Sequence, residues 1–184
     1  MEKLYKVNEI FYSLQGEGFH CGTPAVFLRL SGCNRACPFC DTDHHDGTMM
    51  SADEIASTVA AYPARHIVVT GGEPTLQLDS ALLGVLKKLG FYIQIETNGS
   101  NPVPPEIDWV TCSPKDRPWH IDRIDELKIV FQDQDVETIA AALPAAHRFL
   151  QPCSGKNISE TVEYIKAHPH WRLSLQTHRL IDIP

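Results

Sequence analysis

The sequence predicts an α/β fold, a partial, open parallel (β/α) barrel of about six strands, and three observations carry that prediction. Short runs rich in Val, Ile, Leu and aromatic residues alternate with segments of helical periodicity through most of the chain, and parallel strands need long crossovers that are usually helical. Polar motifs fall directly after several of the strand-like runs, where the loops of a (β/α) barrel build one rim. The chain has 184 residues, short of the roughly 250 of a closed eight-fold barrel, so six or seven strands with the barrel left open fit best.

In order, the strand candidates are 25–30, 66–70, 91–95, 109–112, 126–131, 147–150 and 171–175. Most are nearly continuous apolar runs, as strands buried on both faces should be. Ser51 and Glu54 have the spacing of a capping box and open a helix that sets Ile55, Val59 and Tyr62 on one face. Helices over 79–89, 136–143 and 157–168 follow, the last capped by Asn157 and striped by Ile158, Val162 and Ile165. The Pro-rich stretch 101–105 reads as a connection in place of a helix. With no linker and no repeat beyond the strand–helix unit, one domain over 1–184 with one core is expected.

A net charge of −7 without any Lys/Arg run excludes a nucleic-acid stripe, which leaves a small-molecule partner. No apolar run approaches the roughly 20 residues that span a bilayer, and the N-terminus lacks the pattern of a signal peptide. A cytoplasmic protein with no membrane partner is expected. Six cysteines without an export signal read as reduced thiols. Of these, Cys21, Cys112 and Cys153 lie beside apolar segments and read as small buried hydrophobes.

Cys33, Cys37 and Cys40 form a CxxxCxxC loop. It supplies three thiolates, one fewer than the four that close a structural site, so one metal position stays open. Thiolates suit iron–sulfur clusters and zinc alike. A zinc site completed by His44 or His45 is the competing reading, although the spacing does not match paired C-x-x-C knuckles. Gly71-Gly72-Glu73-Pro74 follows the 66–70 strand. Alone it is a tight turn; after a buried strand, its glycines allow close backbone approach to a ligand, and Glu73 can accept from an ammonium group.

The cysteine loop, with Phe39 before its last cysteine, and the GGEP segment together resemble the radical S-adenosylmethionine superfamily. The resemblance implies a 4Fe-4S cluster held by Cys33, Cys37 and Cys40, with S-adenosylmethionine on the fourth iron and a 5'-deoxyadenosyl radical formed from it. It also implies that Gly71, Gly72 and Glu73 hold the methionyl ammonium and that Phe39 lies beside the cofactor. Thr97, Asn98, Ser113, Lys115 and Gln151 would meet its carboxylate or ribose, and each of these five also fits a turn or a cap.

A narrower set of strings covers nearly the whole chain: SLQGEG at 13–18, Gly22-Thr23-Pro24, FLRLSGCN at 27–34, Cys40-Asp41-Thr42, ETNG, SPK, and QTH near the C-terminus. It is similar to the 7-carboxy-7-deazaguanine synthase family. The similarity implies a lyase that contracts 6-carboxy-5,6,7,8-tetrahydropterin to 7-carboxy-7-deazaguanine with loss of ammonia, on the route to queuosine. It further implies magnesium at Thr42, flavodoxin or ferredoxin as electron donor, and a homodimer. Gln15 and Glu17 offer an amide and a carboxylate to a pterin edge, and Arg29 can grip a substrate carboxylate bidentately. His178 and the carboxylate of Pro184 would complete the pocket. QGEG also reads as a flexible turn, and Arg29 as the partner of a structural acid. The rival functions are a glycyl-radical activase, whose pattern does not ask for SLQGEG or Thr42, and a non-catalytic iron–sulfur or zinc-binding module.

Overall fold

The computed structural model describes residues 3–40, 42–132 and 134–184. Its strands are β1 (Leu4–Leu14), β2 (Pro24–Leu30), β3 (Thr48–Ser51), β4 (His66–Gly71), β5 (Tyr92–Thr97), β6 (Trp109–Cys112), β7 (Glu126–Phe131), β8 (His147–Pro152) and β9 (Arg172–Leu173). Helices α1 (Ala52–Ala60), α2 (Ser80–Lys88), α3 (Val136–Ala142), α4 (Ile158–Ala167) and α5 (Thr177–Leu180) lie between or after them. All nine strands form one sheet in the order β3-β1-β2-β4-β5-β6-β7-β8-β9. From β2 to β9 every neighbouring pair is parallel, and β3 and β9 are unjoined edges, so the barrel is open. The 101–105 stretch carries no helix.

The sheet is larger than expected, because β1 and β3 add an antiparallel edge to β2. β1 is half-buried, with Tyr5 and Val7 inside and Leu4 outside, so it lacks the continuous apolar run that marks the central strands. The last strand is shorter than the expected 171–175: only Arg172 and Leu173 pair, against Phe149 and Leu150 of β8. α1 opens on the expected capping box, with Ser51 Oγ accepting from the Glu54 N–H and the Glu54 carboxylate accepting from the Ser51 N–H. Asp79 caps α2 by accepting from the Leu82 N–H, without a reciprocal bond, while Lys3 and the Tyr5 hydroxyl donate to its carboxylate. Asn157 precedes α4 without capping it; its side chain accepts from Cys153 N and donates to Phe131 O, tying β7 to the turn after β8.

Alternation along the parallel strands sorts two environments. Ile67, Val69, Ile93, Ile95 and Val110 face outward into one apolar cluster with α1 and α2. Leu127, Ile129 and Leu150 face outward into a second with α3 and Trp171. Their chain neighbours turn inward and are largely polar: Gln94, Glu96, Thr111, Glu126, Lys128 and Gln151. The amino-terminal end of this interior is plugged by the segment 15–23 between β1 and β2. Phe19 stacks on Trp109 at 4.8 Å and meets His147 with tilted rings at 4.4 Å between ring centres, and His20 meets His66 edge-on at 4.9 Å. The Phe19 N–H donates to Glu126 Oε2 at 3.1 Å, fixing the plug to β7.

Candidate active site

At the carboxyl ends of the parallel strands the interior opens into a cavity of about 340 Å³, within the size range of small-ligand sites. One wall carries Cys33, Cys37, Phe39 and Cys40 from the loop after β2. Gly71 and Gly72 after β4, Thr97 and Asn98 at the end of β5, Ser113 and Lys115 after β6, and Gln151 on β8 also line it. Gln15 and Glu17 form its floor, with Arg29, Thr42, His178 and Pro184 around the remaining side. Asp41, in the Cys40-Asp41-Thr42 string, lies outside the described residues.

Backbone contacts fix the cysteine loop to the turn after β4. Glu73 N donates to Gly32 O at 2.9 Å, and a Cβ on Gly72 would lie 2.1 Å from that carbonyl oxygen and 2.8 Å from Cys33 Cβ. Only glycine fits there. Glu73 itself does not line the cavity. It is 1% exposed, and its oxygens accept from Thr75 N, Thr75 Oγ1, Thr97 Oγ1 and Asn98 N. Its side chain therefore shapes the ETNG turn, while the neighbouring Gly71 and Gly72 backbone faces a ligand. Asn98 in turn donates to Asn34, and Asn34 to Ser100, which anchors the cysteine loop from the other side.

The three thiols are free. Burial pushes the Cys37 thiol up, Lys115 opposes, and Cys40 and Cys33 add to the rise. Among the described residues no three His, Cys, Asp or Glu side chains close around a single ion. A cubane cluster binds each thiolate to a separate iron, so three cysteines spread along one cavity wall fit it and leave one iron without a protein ligand. Lys115 donates to Ser113 Oγ at 2.9 Å, its ammonium lies 5.6 Å from the Phe39 ring centre, and burial holds its pKa low. Gln151 accepts from the Ser174 hydroxyl at 3.0 Å.

The floor is strongly charged. Lys128 Nζ, 4% exposed as a residue, donates to Glu17 Oε2 at 2.5 Å and to Glu96 Oε2 at 2.7 Å. Burial alone would raise the Glu17 carboxyl, but the Lys128 charge and hydrogen bonds from Lys128 and Gln176 hold it below its usual range. Burial keeps Glu96 above that range, and Glu126 likewise. Gln15 donates to Glu96 at 3.2 Å. Arg29 also lines the cavity, although its Nε is paired with Glu9 at 2.7 Å and its Nη1 reaches Thr42 Oγ1 at 3.5 Å. The structural-acid reading of Arg29 thus describes part of its bonding. Of the three remaining cysteines, Cys112 alone is buried, its thiol pushed up to about 12 by that burial. Cys21 is exposed and Cys153 lines the cavity, because both sit in loops at the rims and not in the strand interiors.

Residues 28–168 match the profile of the Radical SAM superfamily. The chain is 58% identical to the 7-carboxy-7-deazaguanine synthase of Bacteroides thetaiotaomicron, across 97% of this chain and 98% of that protein. The chain belongs to the 7-carboxy-7-deazaguanine synthase family, within the radical SAM superfamily. It is also 45% identical to the synthase of Bordetella pertussis, over 98% of this chain and 99% of that protein. The crystal structure of QueE from Escherichia coli superposes with a TM-score of 0.82 at 33% identity, covering 95% of each chain. The activase and electron-carrier readings are set aside by these matches. The enzyme is a radical S-adenosylmethionine lyase with a 4Fe-4S cluster.

Sequence reasoning missed Lys128, Glu96, Gln176 and the inward Phe11 and Phe27, which stack at 4.8 Å and line the cavity. A signal for Lys128 was present: Glu126 and Lys128 share one face of an otherwise apolar strand, and buried charges demand partners.

Proposed function

We propose that this enzyme converts 6-carboxy-5,6,7,8-tetrahydropterin to 7-carboxy-7-deazaguanine with loss of ammonia, in the pathway to queuosine and related deazapurines. The observation that carries this reading is the cavity itself: three thiols on one wall face a floor on which Glu17 is held ionised by Lys128. When bound, the cluster and S-adenosylmethionine supply a 5'-deoxyadenosyl radical for hydrogen abstraction at C6 of the pterin. Cys33, Cys37 and Cys40 would hold the cluster. The Gly71 and Gly72 backbone, with Phe39, Thr97, Asn98, Ser113, Lys115 and Gln151, would hold the cofactor.

Glu17 accepts two adjacent N–H groups of the pterin edge, a charge-assisted bidentate contact. Gln15, held by Glu96, lies beside it. Arg29, whose guanidinium keeps donors beyond the Glu9 contact, would meet the substrate carboxylate, and the Thr42 hydroxyl would help to hold a magnesium ion, which supplies positive charge to that end of the substrate. His178 and Pro184 exclude water from the outer side. A flavodoxin- or ferredoxin-type donor, a homodimer and a cytoplasmic setting complete the proposal, with the chain acting as one domain. The test is anaerobic incubation of reconstituted enzyme with carboxytetrahydropterin, dithionite and magnesium. A product of the mass of 7-carboxy-7-deazaguanine is expected, and cofactor cleavage with the pterin left intact would overturn the reading.

A further inference from the structure

Lys128 is unusual among the groups of the cavity. It is an ammonium buried on an inward strand face, lining the cavity and gripped by two carboxylates. An ammonium has three N–H donors. Glu17 Oε2 and Glu96 Oε2 take two of them, and among the described residues no other acceptor takes the third. β7 supplies the stem, the β1–β2 segment supplies Glu17 and β5 supplies Glu96. Glu96 is itself held by the amides of Gln15 and Gln94, at 3.2 and 3.4 Å. The head group is thus fixed beside the Glu17 carboxylate, and the floor presents an acceptor next to a donor.

We propose that Lys128 determines specificity for the 4-oxo group of the substrate, donating its third N–H to O4 while Glu17 accepts from N3–H and the 2-amino group. This rests on the pterin reading above. On a pterin edge the 2-amino, N3–H and 4-oxo groups stand side by side as donor, donor and acceptor, the complement of a carboxylate flanked by an ammonium. A buried donor left without an acceptor is costly, so Lys128 rejects rings whose 4-position accepts poorly. Such selection by an unpaired polar group is stronger than any achieved by shape alone.

The test uses reconstituted holoenzyme with S-adenosylmethionine and two fluorescent probes, 6-carboxypterin and its 4-thioxo analogue. The analogue keeps N3–H and the 2-amino group and changes only the acceptor at position 4. Wild type is expected to bind the 4-oxo compound about tenfold more tightly, the scale of one charge-assisted hydrogen bond. Lys128→Met should bind both within about twofold of each other, a coupling that a purely structural lysine would not show. Because Lys128→Met leaves two carboxylates facing each other, the charge-balanced pair Glu96→Gln with Lys128→Met is measured beside it, with iron and sulfide content as the check on folding. Equal affinities in wild type, or an undiminished preference in both variants, overturn the inference while leaving the pterin reading standing. Failure of wild type to bind either probe overturns both.

Discussion

Gly16 shows how closely single residues are fitted around the floor. A Cβ there would lie 2.2 Å from His178 Nδ1, and Gly16 O already accepts from the N–H and hydroxyl of Thr177. Gly16→Ala must push the imidazole out of the cavity wall, so KM for the pterin should rise several-fold with iron content unchanged; an unaltered KM would show that His178 does not shape the substrate site. Glu17→Ala should weaken pterin binding by about 10- to 100-fold, the range for hydrogen bonds to a charged group, while the cluster still assembles. Titration of the variant with 6-carboxypterin checks this, and unchanged affinity removes Glu17 from the site. At this scale the sequence was partly legible. The amide and carboxylate of Gln15 and Glu17 point to a polar contact surface, with a flexible turn the other reading of QGEG, whereas Glu73 reads as a ligand contact because nothing in the string GGEP shows that Thr75, Thr97 and Asn98 consume its oxygens.

The segment 15–23 acts as an element although it has no regular structure, since its Gln15 and Glu17 form the cavity floor and its Phe19 and His20 close the opposite end of the barrel. Phe19→Ala removes the ring contacts to His20, Trp109 and His147, each worth about 1 kcal/mol. The expected result is a lower melting temperature together with a raised pterin KM, because Glu17 is only two residues from the lost anchor; a fall in stability alone would show that the two ends are uncoupled. The helices and central strands were legible because their apolar periodicity and caps are local signals. β1, β3 and α5 were not, because β1 is half-polar, β3 has four residues and α5 has four, too few for a period to emerge. Asn157 was read as a cap from its position, but tertiary partners on Phe131 and Cys153 claimed its side chain.

Across the molecule, the apolar clusters lie outside the sheet and the cysteine loop contributes to neither. Cys37→Ala should therefore abolish cluster assembly while leaving the far-ultraviolet circular dichroism spectrum unchanged. Retention of the full iron content in that variant would contradict the ligand assignment. The amino-terminal end of the barrel predicts a pH response. Burial holds His66 below its ordinary 6.5, with the Gln94 hydrogen bond and Asp108 opposing, and it lowers His20 too, with His66 and His147 adding to the fall. Around them stand Phe19, Tyr92 and Trp109. A histidine with a depressed folded pKa stabilises the fold fully above 6.5 and loses that contribution as pH falls below it. Glu96 and Glu126, held high, act in the opposite sense, so the difference between wild type and His66→Gln carries the test: the wild-type melting temperature should drop more steeply from about pH 6.5 to about pH 5. Equal slopes would exclude His66. The open parallel barrel was legible from strand–helix alternation and from motifs that follow strands; its polar interior was not, because reading a strand as buried on both faces hides what one of those faces contains. Since the plug and the floor belong to one short stretch of chain, the underside is not free to drift. Substitutions there, far from any thiol and easily filed as cosmetic, would be screened in the cell by the yield of modified base.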